Sequence, residues 1–173
     1  MHKVGLVVGR FQPFHKGHLY LLNEVLKACD KIIIAVGSSN VSNENNPLSY
    51  ATRVEMLKKV ILEEGLGKRV IKIVPSPDDP SDDKWLELLL KEAGKIDIAF
   101  GNNEWTNGIL ERAGYEVIEV PYLNRVHFQG VYIRNMFSEG KPWEEEVPEY
   151  LVDFIKDKFS LAKSTKTKIP SSK

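Results

Sequence analysis

Cysteine is nearly absent from this chain. Cys29 stands alone, which excludes an internal disulfide and predicts a packed thiol in a reducing cytoplasm. Net charge is absent too, since 24 lysines and arginines offset 24 aspartates and glutamates. That balance argues against bulk nucleic-acid binding and confines any basic surface to a local pocket for an anion. No apolar run approaches membrane-spanning length, and no signal-like region precedes the first apolar segment, so no membrane association is expected. The glycine pattern GxGxxG is missing, which sets aside a dehydrogenase, and GxxxxGK followed by Ser or Thr is missing, which sets aside a P-loop kinase. Cysteines and carboxylates do not cluster at ligand spacing around the histidines, so no metal site is expected on the protein itself. There are no repeats. A length of 173 residues allows one domain with a real core and is short for two.

What is present concentrates in one stretch, Gly9-Arg10-Phe11-Gln12-Pro13-Phe14-His15-Lys16-Gly17-His18. The apolar run Val4–Val8 before it reads as a buried strand. Behind it, Leu19, Leu22, Leu26 and Cys29 form the stripe of an amphipathic helix. A strand-to-helix turn is where open α/β sheets bind phosphates. Gly9 lets the chain turn, and Pro13 sets φ shortly before the helix. His15 and His18 share a face of the first helical turn, with Gly17 between them leaving room for a ligand. Two imidazoles at a positive helix end, flanked by Arg10 and Lys16, suit a polyphosphate.

The rest of the chain alternates strand and helix. Strands are expected at Lys31–Val36, Val70–Val74, Ile96–Phe100 and Tyr115–Val120. Ser38 to Pro47, rich in Asn and Ser, reads as a surface connection or as a loop over substrate. Ser49 is placed to cap a helix carrying Val54, Leu57, Val60 and Ile61 inward, with Arg53 on its first turn. Pro75 to Asp83 should stop the third strand and form a solvated loop ending in a helix cap. Trp85 opens the following helix, at a place where a tryptophan usually packs. Gly101, Asn102 and Asn103 follow the fourth strand, where amides could hold a base or ribose, or cap a helix. After the loop Pro121–Gly130 a helix begins near Val131, with Ile133, Met136 and Phe137 as its apolar side. A last helix carries Leu151, Phe154, Ile155 and Phe159. The result is a single doubly wound parallel α/β sheet of about five strands over residues 1–159, with 160–173 expected to be a disordered tail.

The run GRFQPFHKGH resembles the HxGH signature of the nucleotidyltransferase superfamily. Its GRFQPFH part resembles in particular the archaeal-type nicotinamide-nucleotide adenylyltransferases, and the resemblance extends from about Lys3 to Phe159. It implies a Rossmann-like fold, ATP and nicotinamide mononucleotide (NMN) as substrates, Mg2+ arriving with ATP, and a homo-oligomer. Carried onto this chain, it implies that His15 and His18 face the α/β-phosphates, that Arg10 and Arg134 meet phosphate charge, and that Lys16 serves the outer phosphates. Gly9, Phe11, Gln12 and Gly17 belong to the same nucleotide-binding signature. It also implies nucleotide contacts at Gly101, Asn102 and Asn103, outer-phosphate binding at Gly130 and Val131, a substrate contact at Ser38, and Trp85 stacked on the nicotinamide ring. An Arg at the place of Arg53 is shared with the family, as a structural or a substrate-proximal residue.

Two places depart from the family pattern. The second signature, commonly Ser-Gly-Thr-x-x-Arg, reads Gln129-Gly130-Val131-Tyr132-Ile133-Arg134, so both hydroxyls are gone. Asn45 or Asn46 stands where many relatives carry Arg. The implied chemistry needs no general base, because the attacking phosphate oxygen is already ionised; alignment and charge stabilisation suffice. The alternatives are another phosphate acceptor such as pantetheine phosphate, or a nucleotide-binding sensor without turnover.

Overall fold

The computed structural model describes residues 2–166. Five parallel strands form one sheet in the order β3-β2-β1-β4-β5. The strands are β1 (His2–Gly9), β2 (Cys29–Gly37), β3 (Val70–Ser76), β4 (Ile98–Gly101) and β5 (Val117–Glu119). The helices are α1 (Lys16–Ala28), α2 (Tyr50–Glu63), α3 (Asp82–Ala93), α4 (Glu104–Arg112), α5 (Gly130–Ser138) and α6 (Val152–Lys166). Side chains alternate across a strand, so each sheet face has its own core. Val7, Ile32, Ile34 and Val36 meet Leu22 and Val25 of α1, Met56, Leu57 and Val60 of α2, Ile133 of α5, and Ile155 and Phe159 of α6. Leu6, Ile33 and Ala35 point the other way, into Trp85, Leu89 and Ala93 of α3 and Ile109 and Leu110 of α4. Apolar runs in β1 and β2 follow from burial on both faces. Each fully buried aliphatic side chain contributes about 1.5–3 kcal/mol relative to exposure.

The chain leaves β1 toward β2 and β3 and returns to the opposite side of β1 as β4. The order of strands therefore reverses between β1 and β4, which is where ligands bind in open α/β sheets. The carboxyl ends there are Gly9 and Gly101.

Three local expectations are corrected. Cys29 is not on the helical stripe; it is the first residue of β2, paired with His2 of β1, and it is fully buried. Helix passes directly into strand because Arg69 donates to the Leu26 and Cys29 carbonyls at 2.8 and 2.6 Å, so no turn residue is needed. Burial raises the pKa of the Cys29 thiol. Pro75 does not end β3, which runs on through Ser76 with Pro75 opposite Val36. β3 is an edge strand, where a residue without an N–H is tolerated. α6 also runs past Phe159 into the segment read as a tail, continuing to Lys166 with Ser160 Oγ donating to the Lys156 carbonyl at 2.7 Å. Residues 167–173 of the expected tail lie outside the described residues.

Candidate active site

A cavity of about 310 Å³ opens at the switch point. Among the described residues, Arg10, Arg125, Arg134, His15 and His18 line it, and no carboxylate does.

The floor is the turn after β1. Phe11 adopts left-handed backbone at φ 52°, and its ring is buried. A Cβ on Gly9 would lie 2.7 Å from that ring, so the glycine is required by Phe11 and not only by the turn. Phe11 and Phe14 support His18 from below, with ring centroids 4.7 and 5.5 Å away. The Gln12 amide is spent on the main chain: Nε2 donates to the Leu48 carbonyl at 2.8 Å, and Oε1 accepts from the Leu48 N–H at 3.0 Å. Phe11 and Gln12 thus shape the cavity mainly by holding the turn.

His15 caps α1. Its Nδ1 accepts from the His18 N–H at 3.3 Å, and the two rings stack 3.7 Å apart. Burial lowers the His15 pKa to about 3. His18 is lowered well below the usual imidazole range, by burial and then by the repulsion that a protonated His15 beside it would exert. Both rings are therefore neutral near pH 7. With Nδ1 accepting, neutral His15 carries its proton on Nε2 and can donate it to an anion. His18 Nδ1 is buried without a hydrogen-bond partner. Gly17 leaves room as expected, but the occupant is protein: a Cβ there would be 2.9 Å from Phe128 Cβ. Lys16 is exposed and does not line the cavity.

The other wall comes from the second half of the chain. Arg134 Nη1 donates to the Gln12 carbonyl at 2.6 Å, and a Cβ on Gly130 would lie 2.6 Å from the same oxygen. The first turn of α5 is thereby pressed against the β1 turn. Burial, and then the nearby charge of Arg10, lower the Arg134 pKa. Gln129, at the N-cap of α5, makes no side-chain cap bond; its amide turns back to the Arg125 carbonyl. The amides of the α5 N-terminus are thus left for an anion. Asn103 is a helix cap, accepting from the Thr106 N–H at 2.9 Å. Asn102 is different, because its Oδ1 is buried without a partner on a residue lining the cavity.

In sequence, 37% of 158 residues match a nicotinamide-nucleotide adenylyltransferase of Thermococcus onnurineus, spanning 91% of this chain and 84% of that one. The corresponding protein of Saccharolobus solfataricus is 35% identical over 152 residues, 87% of this chain and 88% of its own. Residues 6–93 match the family model described as Cytidylyltransferase-like. The chain belongs to the nicotinamide-nucleotide adenylyltransferase family. Among solved structures, a bifunctional NMN adenylyltransferase/ADP ribose pyrophosphatase from Francisella tularensis superposes with a TM-score of 0.76 at 23% identity, covering 96% of this chain and 54% of that one. The same protein complexed with AMP and a Mn ion gives 0.72. At such identity the likeness speaks for the fold alone.

Against the family pattern, Arg53 proves structural. It is fully buried, and its guanidinium donates to the carbonyls of Arg10, Gly37, Ser38 and Ser49. Burial lowers its pKa to about 10. Ser38, with left-handed backbone at φ 47°, gives its hydroxyl to Asp78 at 3.1 Å. The Asn-rich loop is a pinned surface connection: Asn40 pairs with the Asp78 backbone at 3.0 and 2.8 Å, and Asn43 gathers the amides of Asn45 and Asn46. Ser81 caps α3, as the loop reading expected. Trp85 departs most from its implied role, because it is 2% exposed and packed in the α3–α4 core. The open ring beside it is Trp105, 47% exposed with its centroid 4.9 Å away. Trp105 carried no sequence signal beyond its place two residues after the Asn pair.

Proposed function

We infer that this protein transfers the adenylyl group of ATP to the phosphate of NMN, giving NAD and pyrophosphate. Family membership supports the reaction, and one observation supports its location: a cavity at the switch point that, among the described residues, has three guanidinia, two imidazoles and no carboxylate. A phosphate oxygen of the acceptor attacks the α-phosphorus, a new P–O bond forms, and the bond to the β-phosphate oxygen breaks. Pyrophosphate leaves with the electron pair. The attacking oxygen is already anionic, so no base takes a proton, and the protein's work is alignment and charge stabilisation. The α5 amides and Arg134 hold the outer phosphates, while Arg10, His15 and His18 face the phosphates nearer the reacting bond. Among the described residues no group of three His, Cys, Asp or Glu could hold a metal ion. A divalent cation, Mg2+ in this reading, comes with the ATP phosphates and neutralises part of their charge. Pyrophosphate release measured with ATP and a panel of acceptors tests the reading. NMN should release it together with NAD. Release with pantetheine phosphate instead, or ATP binding without release for any acceptor, overturns it.

A further inference from the structure

The loop between β5 and α5 reaches the cavity with a guanidinium to which the reaction gives no role. Arg125 lines the cavity, its charge resting 4.7 Å over the ring of Tyr122. The same loop runs straight into the first turn of α5, and its Phe128 and Gln129 line the cavity as well. Residues 121–127 are all exposed, so little apolar packing holds them down. Among the described residues, two side-chain hydrogen bonds tie the loop to other elements. Near its start the Tyr122 hydroxyl donates to the Asn102 carbonyl at 3.1 Å. Near its end His127 Nδ1 lies 3.2 Å from Glu146 Oε1. A carboxylate accepts, so Nδ1 carries the proton and donates it.

Glu146 is a fixed point. Its side chain is 15% exposed, in the single turn Glu144–Glu146 that sits between the buried core residues Trp143 and Val147. A carboxylate so enclosed needs a donor, and the His127 ring supplies one. The same ring meets Tyr132, in the first turn of α5, edge to face, with centroids 5.3 Å apart at 67°. One side chain thus joins the loop, the start of α5 and a turn anchored in the core. His127 does not itself line the cavity.

We propose that His127 is a positioning residue for the reaction: pinned to Glu146, it fixes where the loop holds Arg125 and the open amides of α5, and so sets the affinity for ATP. The inference rests on the reading that those amides take ATP's outer phosphates. Without the pin every phosphate-binding group remains, but ATP must order the loop as it binds, and affinity falls by that cost.

His127→Ala should raise the KM for ATP about three- to tenfold, with kcat and the KM for NMN little changed. Glu146→Ala should raise it by a similar factor, and the double variant no further, because both changes remove one bond. His127→Asn puts an amide N–H where Nδ1 stands and should recover part of the loss. Circular dichroism and the unfolding temperature report folding, and the exposed position of His127 predicts that its variants fold. An unchanged KM for ATP in either single variant, equal rises for ATP and NMN, additive effects in the double variant, or no recovery with Asn would each overturn the proposal. Calorimetric titration with ATP and Mg2+ repeats the comparison without NMN. A parent that binds ATP and forms no NAD refutes the proposed reaction, while the Kd values still decide the role of His127.

Discussion

At the scale of single residues, the histidine pair contributes as neutral hydrogen-bonding groups, and that makes the free protein sensitive to acid. An unfolded-chain imidazole titrates near 6.5, whereas burial holds folded His15 at about 3. Below pH 6.5 the unfolded chain takes up a proton that the folded chain refuses, so stability falls as pH drops from about 6.5 toward 3; above 6.5 the difference vanishes. His15→Asn keeps a side-chain acceptor for the His18 N–H and removes the titration. Its unfolding temperature should therefore decline less than that of the parent between pH 7.5 and 4.5. Parallel declines would mean that His15 is not held neutral. The residue types were legible here, since two histidines spaced three apart behind a strand already point to phosphate. What sequence could not show was their environment. Gln12 and Arg53 look like ligand donors on paper, yet their polar atoms end on main-chain carbonyls and amides, because buried polar groups must be satisfied.

At the scale of elements, the proposed reaction assigns the outer phosphates to the N-terminus of α5. In that proposal the N-terminus needs no hydroxyl at Gln129 or Val131, since amides at a helix start bind phosphate whatever side chains they carry. Val131→Thr should therefore leave ATP KM and kcat similar or tighten ATP somewhat, because one neutral hydrogen bond is worth about 0.5–1.5 kcal/mol. Gly130→Ala should be severe, because its Cβ would lie 2.6 Å from the Gln12 carbonyl, and backbone cannot yield as a flexible side chain does. Overpacking of this kind costs about 1–3 kcal/mol of stability and moves α5 off the turn, so turnover should fall more than tenfold. Steady-state kinetics on both variants decide the matter, and normal turnover in Gly130→Ala would place the outer phosphates elsewhere. Element order and type were readable from apolar runs and caps. Boundaries were less so, where tertiary context intervened: an edge position admitted Pro75 into β3, and Arg69 secured the direct passage from α1 into β2 that took Cys29 off the helical stripe.

At the scale of the whole molecule, the site exists only because distant halves of the chain meet. Arg10 comes from the turn after β1, His15 and His18 from the start of α1, Asn102 from the end of β4, and Arg134 from α5. The joint is the Gln12 carbonyl, which accepts from Arg134 across 122 residues of sequence. The family model covers residues 6–93 and so reaches only the first of these contributions. A ligand that touches both halves should stabilise them together. At 100 times its dissociation constant, ATP contributes about 2.7 kcal/mol to the folded state. For a chain of this size that corresponds to a rise of roughly 5–11 °C in unfolding temperature. The measurement needs no NMN, so binding is read apart from turnover. Calorimetry of the free protein should show one transition, and ATP with Mg2+ should move it upward as one. Arg134→Ala should lower the starting temperature slightly through the lost bond to Gln12 and should lose most of the ATP-induced rise. Two transitions, of which ATP moves only the first, would mean that α5 does not share the phosphates with the β1 turn.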